Sequence, residues 1–308
     1  MKYIKKQSGQ AQAAIKIVSW LRLLLTACCL LAGAARAITV TDDQGRALHF
    51  DAPPQRIVSL LPSLTESVCA LDRCGLLVGV DRYSNWPASV RGLPRVGGGL
   101  DPSIEAVVAL RPDVVLLSVS SRVSERLEAL GLKVLALEPK THADVRRVLG
   151  VLGDLLAVPP AQGAERLWRE INAGVQAAAQ SVPARARQGG GARVYFEVNR
   201  GPYAAGAASF IGETLTRLGV RNVVPAALGP FPRLSPEFVL RAQPDVIMIS
   251  NRGMQPMTLY PGWQSLSAIR QGRLCEFGPD DADVLVRPGP RMAEAARIMA
   301  GCLAKVFP

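Results

Sequence analysis

Short apolar runs alternate with segments of helical period through the first half of the chain. RIVSLL (56–61), LLVGVD (76–81), DVVLLSV (113–119) and KVLALEP (133–139) are apolar nearly throughout, as expected of strands covered on both faces. Between them, LTESVCAL (64–71), SIEAVVAL (103–110) and SERLEALGL (124–132) carry apolar residues at helical spacing. This alternation predicts an α/β fold with a mainly parallel sheet. Ahead of it, ITVTDDQGRALHF alternates about a D-Q-G turn and reads as a hairpin.

The rhythm breaks in the middle. Residues 143–157 read as one helix, stopped at Pro159-Pro160. Residues 161–181 read as a second, Ala-rich helix of about six turns. A basic, glycine-rich stretch, RARQGGGAR (185–193), follows. Strands then resume at VYFEV (194–198), DVIMIS (245–250) and RLCEFGP (273–279). Helices are expected at 209–219, 235–242, 262–270 and 290–305.

The halves share a repeat. Glu105 precedes Pro112-Asp113-Val114 just as Glu237 precedes Pro244-Asp245-Val246, and an apolar strand follows each time. Pro and Asp are read as helix stop and turn chemistry. The two glutamates open their helices, where an anion suits the dipole. The fold class is therefore α/β: two similar lobes with mainly parallel sheets, joined by a single long helix, with a ligand cleft between them. The expected units are 38–142 for the N-terminal lobe, 143–192 for a helical linker including 161–181, and 193–308 for the C-terminal lobe.

The N-terminus changes the charge picture. Residues 1–37 hold six of the 36 basic residues and none of the 25 acidic ones. The formal charge of +11 is thus largely local, which weakens a nucleic-acid reading. A basic start, an apolar run of about 13 residues and Ala35-Arg36-Ala37 predict a cleaved signal peptide and periplasmic export. Leu25-Thr26-Ala27-Cys28 also fits a lipoprotein box, so anchoring at Cys28 is the alternative. Four cysteines lie beyond the signal, and an even number in an exported chain predicts disulfides, with Cys275 to Cys302 and Cys69 to Cys74 as pairs. Two histidines, His49 and His142, cannot furnish a His-rich metal site, and no metal is expected. No G-x-S-x-G elbow or P-loop is present, so an envelope enzyme is disfavoured.

The motifs PQRIVSLLPSLTE (54–66), LLVGVDRYSNWP (76–87), LPRVGGGLDPSIEAVVALRPDVVLL (93–117), LGLKVLALEP (130–139), LSPEFVLRAQPDVIMIS (234–250) and VRPGPRM (286–292) resemble the substrate-binding proteins of ABC importers in the class with a helical backbone. That class takes vitamin B12, haem or ferric siderophores. The element Tyr83-Ser84-Asn85-Trp86-Pro87 is most similar to the cobalamin-binding branch. The resemblance implies a monomeric carrier that passes a corrinoid to a permease dimer with its ATPase, haem or a ferric siderophore being the alternatives. It implies ligand contacts at Tyr83, Trp86, Tyr203, Phe231 and Arg287, and permease docking through Glu105 and Glu237. The stretch Gly97-Gly98-Gly99, where some B12 binders place an aromatic, is expected to open the cleft.

Overall fold

A computed structural model describes residues 37–252 and 258–308. The signal segment and Cys28 lie outside the described residues. No described helix is long and apolar enough to cross a membrane.

The chain begins with an antiparallel hairpin, β1 (Ile38–Thr41) and β2 (Ala47–Phe50), in register from Ile38 opposite Phe50. The first lobe then follows as β3 (Ile57–Ser59), α1 (Pro62–Ala70), β4 (Leu77–Val80), α2 (Ile104–Ala109), β5 (Val114–Leu117), α3 (Ser124–Ala129) and β6 (Val134–Ala136). Its strands are all parallel, in the order β4-β3-β5-β6. Every residue of β3, β5 and β6 is buried, which is why these strands read as unbroken apolar runs.

Helices α4 (His142–Leu155) and α5 (Ala164–Ser181) come next, followed by the single turn α6 (Ala184–Arg187). Thr141 and Asp144 form a reciprocal capping box that starts α4. α5 is shorter than the sequence suggested, 18 residues or about five turns. The Pro159-Pro160 turn continues through Gly163, which precedes the helix at the non-helical φ −110°, ψ −105° and packs so closely that a Cβ added there would meet Val158 at 2.6 Å.

The second lobe contains β7 (Arg193–Asn199), β8 (Tyr203–Ala204), α7 (Phe210–Arg217), β9 (Arg221–Asn222), α8 (Pro236–Ala242), β10 (Val246–Ser250), α9 (Ser267–Arg270), β11 (Leu274–Phe277), α10 (Pro279–Leu285) and α11 (Met292–Val306). The sheet runs β11-β10-β7-β8, with β9 also paired to β7; only the β7–β8 pair is antiparallel. The helix expected over 262–270 is instead a 3₁₀ turn at Trp263–Ser265 and the short α9. α10 had no counterpart in the sequence reading. Its signal was Pro279 at the first helical position with Asp280 and Asp281 in the first turn.

The repeated motif is the same physical device in both lobes. α2 and α8 run out into a left-handed residue, Arg111 (φ 46°) and Gln243 (φ 44°), and proline follows. The Asp113 carboxylate accepts from the backbone N–H of Gln55 and Arg56 at 2.7 and 2.9 Å; Asp245 accepts from that of Arg193 at 2.8 Å. Arg56 donates to Leu110 O and Arg193 to Ala242 O, each at 2.6 Å, satisfying the orphaned carbonyls at the helix end.

One apolar cluster runs from α1 through α4, α5 and α11 into the second sheet. Leu167, Ile171, Val175 and Ala178 form the buried stripe of α5. Cys69 is bonded to Cys74 at the end of α1, and Cys275 to Cys302 between β11 and α11.

Candidate functional site

In the first sheet the connection after β3 leads to β4 on one side, whereas β5 leads to β6 on the other. A crevice opens outside the carboxyl ends of two such strands, where their loops part. Leu60 to Ser63 after β3 and Ser118 with Ser120 after β5 line it from this lobe. Val198 at the end of β7, Phe210 at the start of α7, Phe231, Val286 and Pro288 form the opposite wall. The space between is about 470 Å³, within the range of small-molecule sites.

The five expected ligand contacts have different places. Tyr83 borders the cavity and is 54% exposed, with the Arg82 guanidinium 5.8 Å over its ring. Phe231 borders it too, packed against Phe210 with centroids 5.9 Å apart. Trp86 is not on the cavity wall; the Arg291 guanidinium lies 4.9 Å over its ring. Tyr203 lies on the short strand β8, bridged to Arg233, also away from the wall.

Arg287 is 4% exposed and faces away from the cavity, into a network of fixed partners. It donates to Glu66 Oε1 at 2.9 Å, to Asn85 Oδ1 at 2.8 Å and to the Tyr83 carbonyl at 2.9 Å, and it pairs with Asp283 at 2.6 Å. Arg291 binds both oxygens of Glu66, at 2.6 and 2.9 Å. Glu66 is on α1 in the first lobe, so two arginines of the second lobe close on one buried carboxylate of the first. The network also fixes the Tyr83 loop from behind: Asp81 accepts from the Tyr83 N–H at 2.9 Å and from the Ser84 hydroxyl. Burial raises the Asp81 pKa above the ordinary carboxylate value.

The three glycines do not simply open space. Gly97 has φ 100°, and a Cβ there would meet Asp101 O at 2.8 Å; one on Gly99 would meet Leu60 O at 2.6 Å. They let the loop lie flat on the end of β3, tied by Arg82 to Asp101 at 2.7 Å. Leu100 is thereby held on the cavity wall while 68% exposed.

Leu100, Phe210, Glu138 and Lys140 were missed by sequence reasoning, because nothing in their local pattern marks a cleft. Three carboxylates border the cavity, Asp81, Asp101 and Glu138, against one basic residue, Lys140. Glu138 accepts from the Ser118 hydroxyl at 2.7 Å.

Glu105 and Glu237 are exposed in the first turns of α2 and α8, one per lobe. The Glu105 pKa lies below the ordinary value through its own backbone N–H and the Ser103 hydroxyl; that of Glu237 does so through Ser235 and its own N–H. Both are thus held as anions.

Elsewhere, His142 is buried, with Nε2 at 2.8 Å from Thr214 Oγ1, a structural setting; burial lowers its pKa. Glu197, buried on β7, bonds to Tyr260 Oη at 3.1 Å, and burial raises its pKa to about 7. Between pH about 4.5 and about 7 the folded chain keeps a proton that the unfolded chain has released. That contribution is therefore complete below about 4.5 and is lost as pH rises to about 7. Glu197→Gln should gain stability relative to the unaltered protein over this window, by at most about 3.5 kcal/mol at about 1.4 per pH unit. Urea unfolding at pH 5 and pH 8 checks this; a difference that does not change with pH rejects the buried proton.

The family model of the periplasmic binding proteins matches residues 57–280. An uncharacterised ABC transporter substrate-binding lipoprotein of Bacillus subtilis, YvrC, is 25% identical over 85% of this chain and 84% of its own. The vitamin B12-binding protein of Salmonella typhimurium is 27% identical over 82% of this chain and 91% of its own. The structure of a periplasmic heme binding protein from Pseudomonas aeruginosa superposes with a TM-score of 0.70 at 28% identity, covering 81% of this chain and 92% of that one.

Proposed function

The chain belongs to the periplasmic binding protein family, and from that premise we propose that it is the substrate-binding component of an ABC importer that carries a corrinoid to its permease. It acts as a monomeric carrier in the periplasm, with no chemistry of its own. The observation that carries the ligand assignment is the composition of the cavity wall. Tyr83, Leu100 and Phe231, the last backed by the buried Phe210, offer apolar area suited to a macrocycle. The charged groups are mostly acidic, with Glu138, Asp81 and the Arg82-paired Asp101 against Lys140. Haem bears two carboxylates and calls for cations, whereas the amide-fringed corrin ring offers N–H donors that carboxylates accept. Similarity to B12 binders supports the same choice. Haem is the second reading, favoured by the exposed Tyr83 phenol, since tyrosinate is a known haem-iron ligand, and by the heme-binding relative. A ferric siderophore, which favours clustered cations, fits this wall least.

Titration calorimetry with cyanocobalamin tests the assignment. Phe231→Ala should weaken binding by about 1–3 kcal/mol through lost apolar contact. In the same reading Glu105 and Glu237 dock to the two halves of the permease. Their double Gln variant should bind ligand within about twofold of the unaltered protein and dock about tenfold more weakly, because only encounter and register are affected. Heat with haemin and none with any corrinoid transfers the function to haem carriage.

A further inference from the structure

Helix α1 starts at the cavity, with Leu61, Pro62 and Ser63 on its wall. Its N-terminus is left open by the protein. No side chain caps it, and no acidic residue stands in its first turn. Pro62 has no N–H, and the amides of Leu64 and Thr65 both donate to Leu61 O at 3.0 Å. The Ser63 N–H has no acceptor among the described residues. First-turn amides left in this way carry the positive end of the helix dipole.

A second observation marks the same place. Ser63 is 2% exposed, yet its Oγ has no hydrogen-bond partner among the described residues. A buried hydroxyl without a partner costs about 1–3 kcal/mol and is rare in folded proteins. Other hydroxyls close by are satisfied: Thr65 bonds to Ser59 and Ser84, and Ser67 to Ser63 O at 2.7 Å. Among the described residues the Ser250 hydroxyl and Arg287 Nε are also buried without a partner, but of the three groups Ser63 alone belongs to a residue on the cavity wall.

We propose that the N-terminus of α1, through the Ser63 hydroxyl and N–H, is a subsite of the cleft that receives an uncharged carbonyl oxygen of the ligand. The acceptor is uncharged because carboxylates outnumber Lys140 on the cavity wall and, although Arg82 answers Asp101, the remainder repel an anionic ligand group. An amide carbonyl has the required chemistry, and the corrin periphery carries several. The proposal rests on the corrinoid reading given above. It adds a donor pair at a wall whose other polar groups are mainly acceptors.

Ser63→Ala separates this role from a structural one, because the two move in opposite directions. With no ligand present, removing an unpartnered hydroxyl should leave the melting temperature unchanged or higher. Affinity for cyanocobalamin should nevertheless fall about fivefold, the loss of one hydrogen bond between neutral groups. Cobyric acid, with amides, should bind the unaltered protein at least about tenfold more tightly than cobyrinic acid, with carboxylates in their place. Unchanged affinity of Ser63→Ala overturns the subsite, as does a fall in affinity matched by a fall in unliganded stability. Equal binding of the two acids overturns the uncharged acceptor. Failure of the unaltered protein to bind any corrinoid sinks the ligand reading itself, and this inference with it.

Discussion

Glu66→Gln should lower the free energy of unfolding by about 3–5 kcal/mol, the largest loss expected of a single isosteric change here. Glu66 is 1% exposed and answers two guanidinium groups at once, Arg287 at 2.9 Å and Arg291 at 2.6 Å. Glutamine keeps the volume and one acceptor oxygen but removes the charge. Arg291 is then left without an acidic partner, and Arg287 keeps only Asp283. An uncompensated charge in a dry interior costs far more than the intact pair gains, which is why removing one partner is severe. Urea denaturation measures the loss. A change under about 1 kcal/mol would mean that water reaches the arginines and that the network is not dry. The same variant should loosen the Tyr83 loop, whose carbonyl depends on the placement of Arg287.

Gly174→Val is the second large effect. Gly174 lies on α5 where α11 crosses it, and a Cβ there would sit 2.5 Å from the Ala293 Cβ. Two helices therefore touch almost backbone to backbone. Valine forces them apart or off their rotamers, costing about 1–3 kcal/mol or more. Against this, replacing glycine inside a helix gains only some tenths of a kcal/mol when the newcomer is β-branched. The clash wins, and thermal unfolding should register it as a lower midpoint. Gly150 on α4 is the control, since nothing lies within 4 Å of its Cβ position. Gly150→Ala has only the propensity gain and should stabilise by about 0.5–1 kcal/mol. Equal effects at the two sites would show that helix propensity, not contact, governs both.

The α/β alternation was legible because β3, β5 and β10 are buried on both faces and read as unbroken apolar runs. The repeat was legible because Asp113 and Asp245 each accept from the backbone N–H of the neighbouring strand segment in the same way in both lobes. The site was only half legible. Tyr83 and Phe231, which border the cavity, were legible as cleft residues because they stand among loop residues. Arg287 looked like a ligand contact because sequence shows a charge near a loop but not the acid that answers it; Glu66 is 221 residues away in the chain. Gly97 to Gly99 looked like empty space because sequence shows missing side chains but not the backbone carbonyls that occupy their place. Ser63 carried no signal at all, since an unmet hydrogen bond exists only in three dimensions.

The course of the chain through its core has a consequence for the order in which the molecule can form. α11, the last helix, lies along α5, and the arginines just before and at its start reach back to α1. A chain emerging end first, from a ribosome or through a membrane, therefore holds its first lobe with the Glu66 charge unanswered and the apolar stripe of α5 uncovered until the final segment arrives. Neither lobe can be finished early. A premature stop that removes only α11 should yield no folded fragment, although every residue of the first sheet would be present.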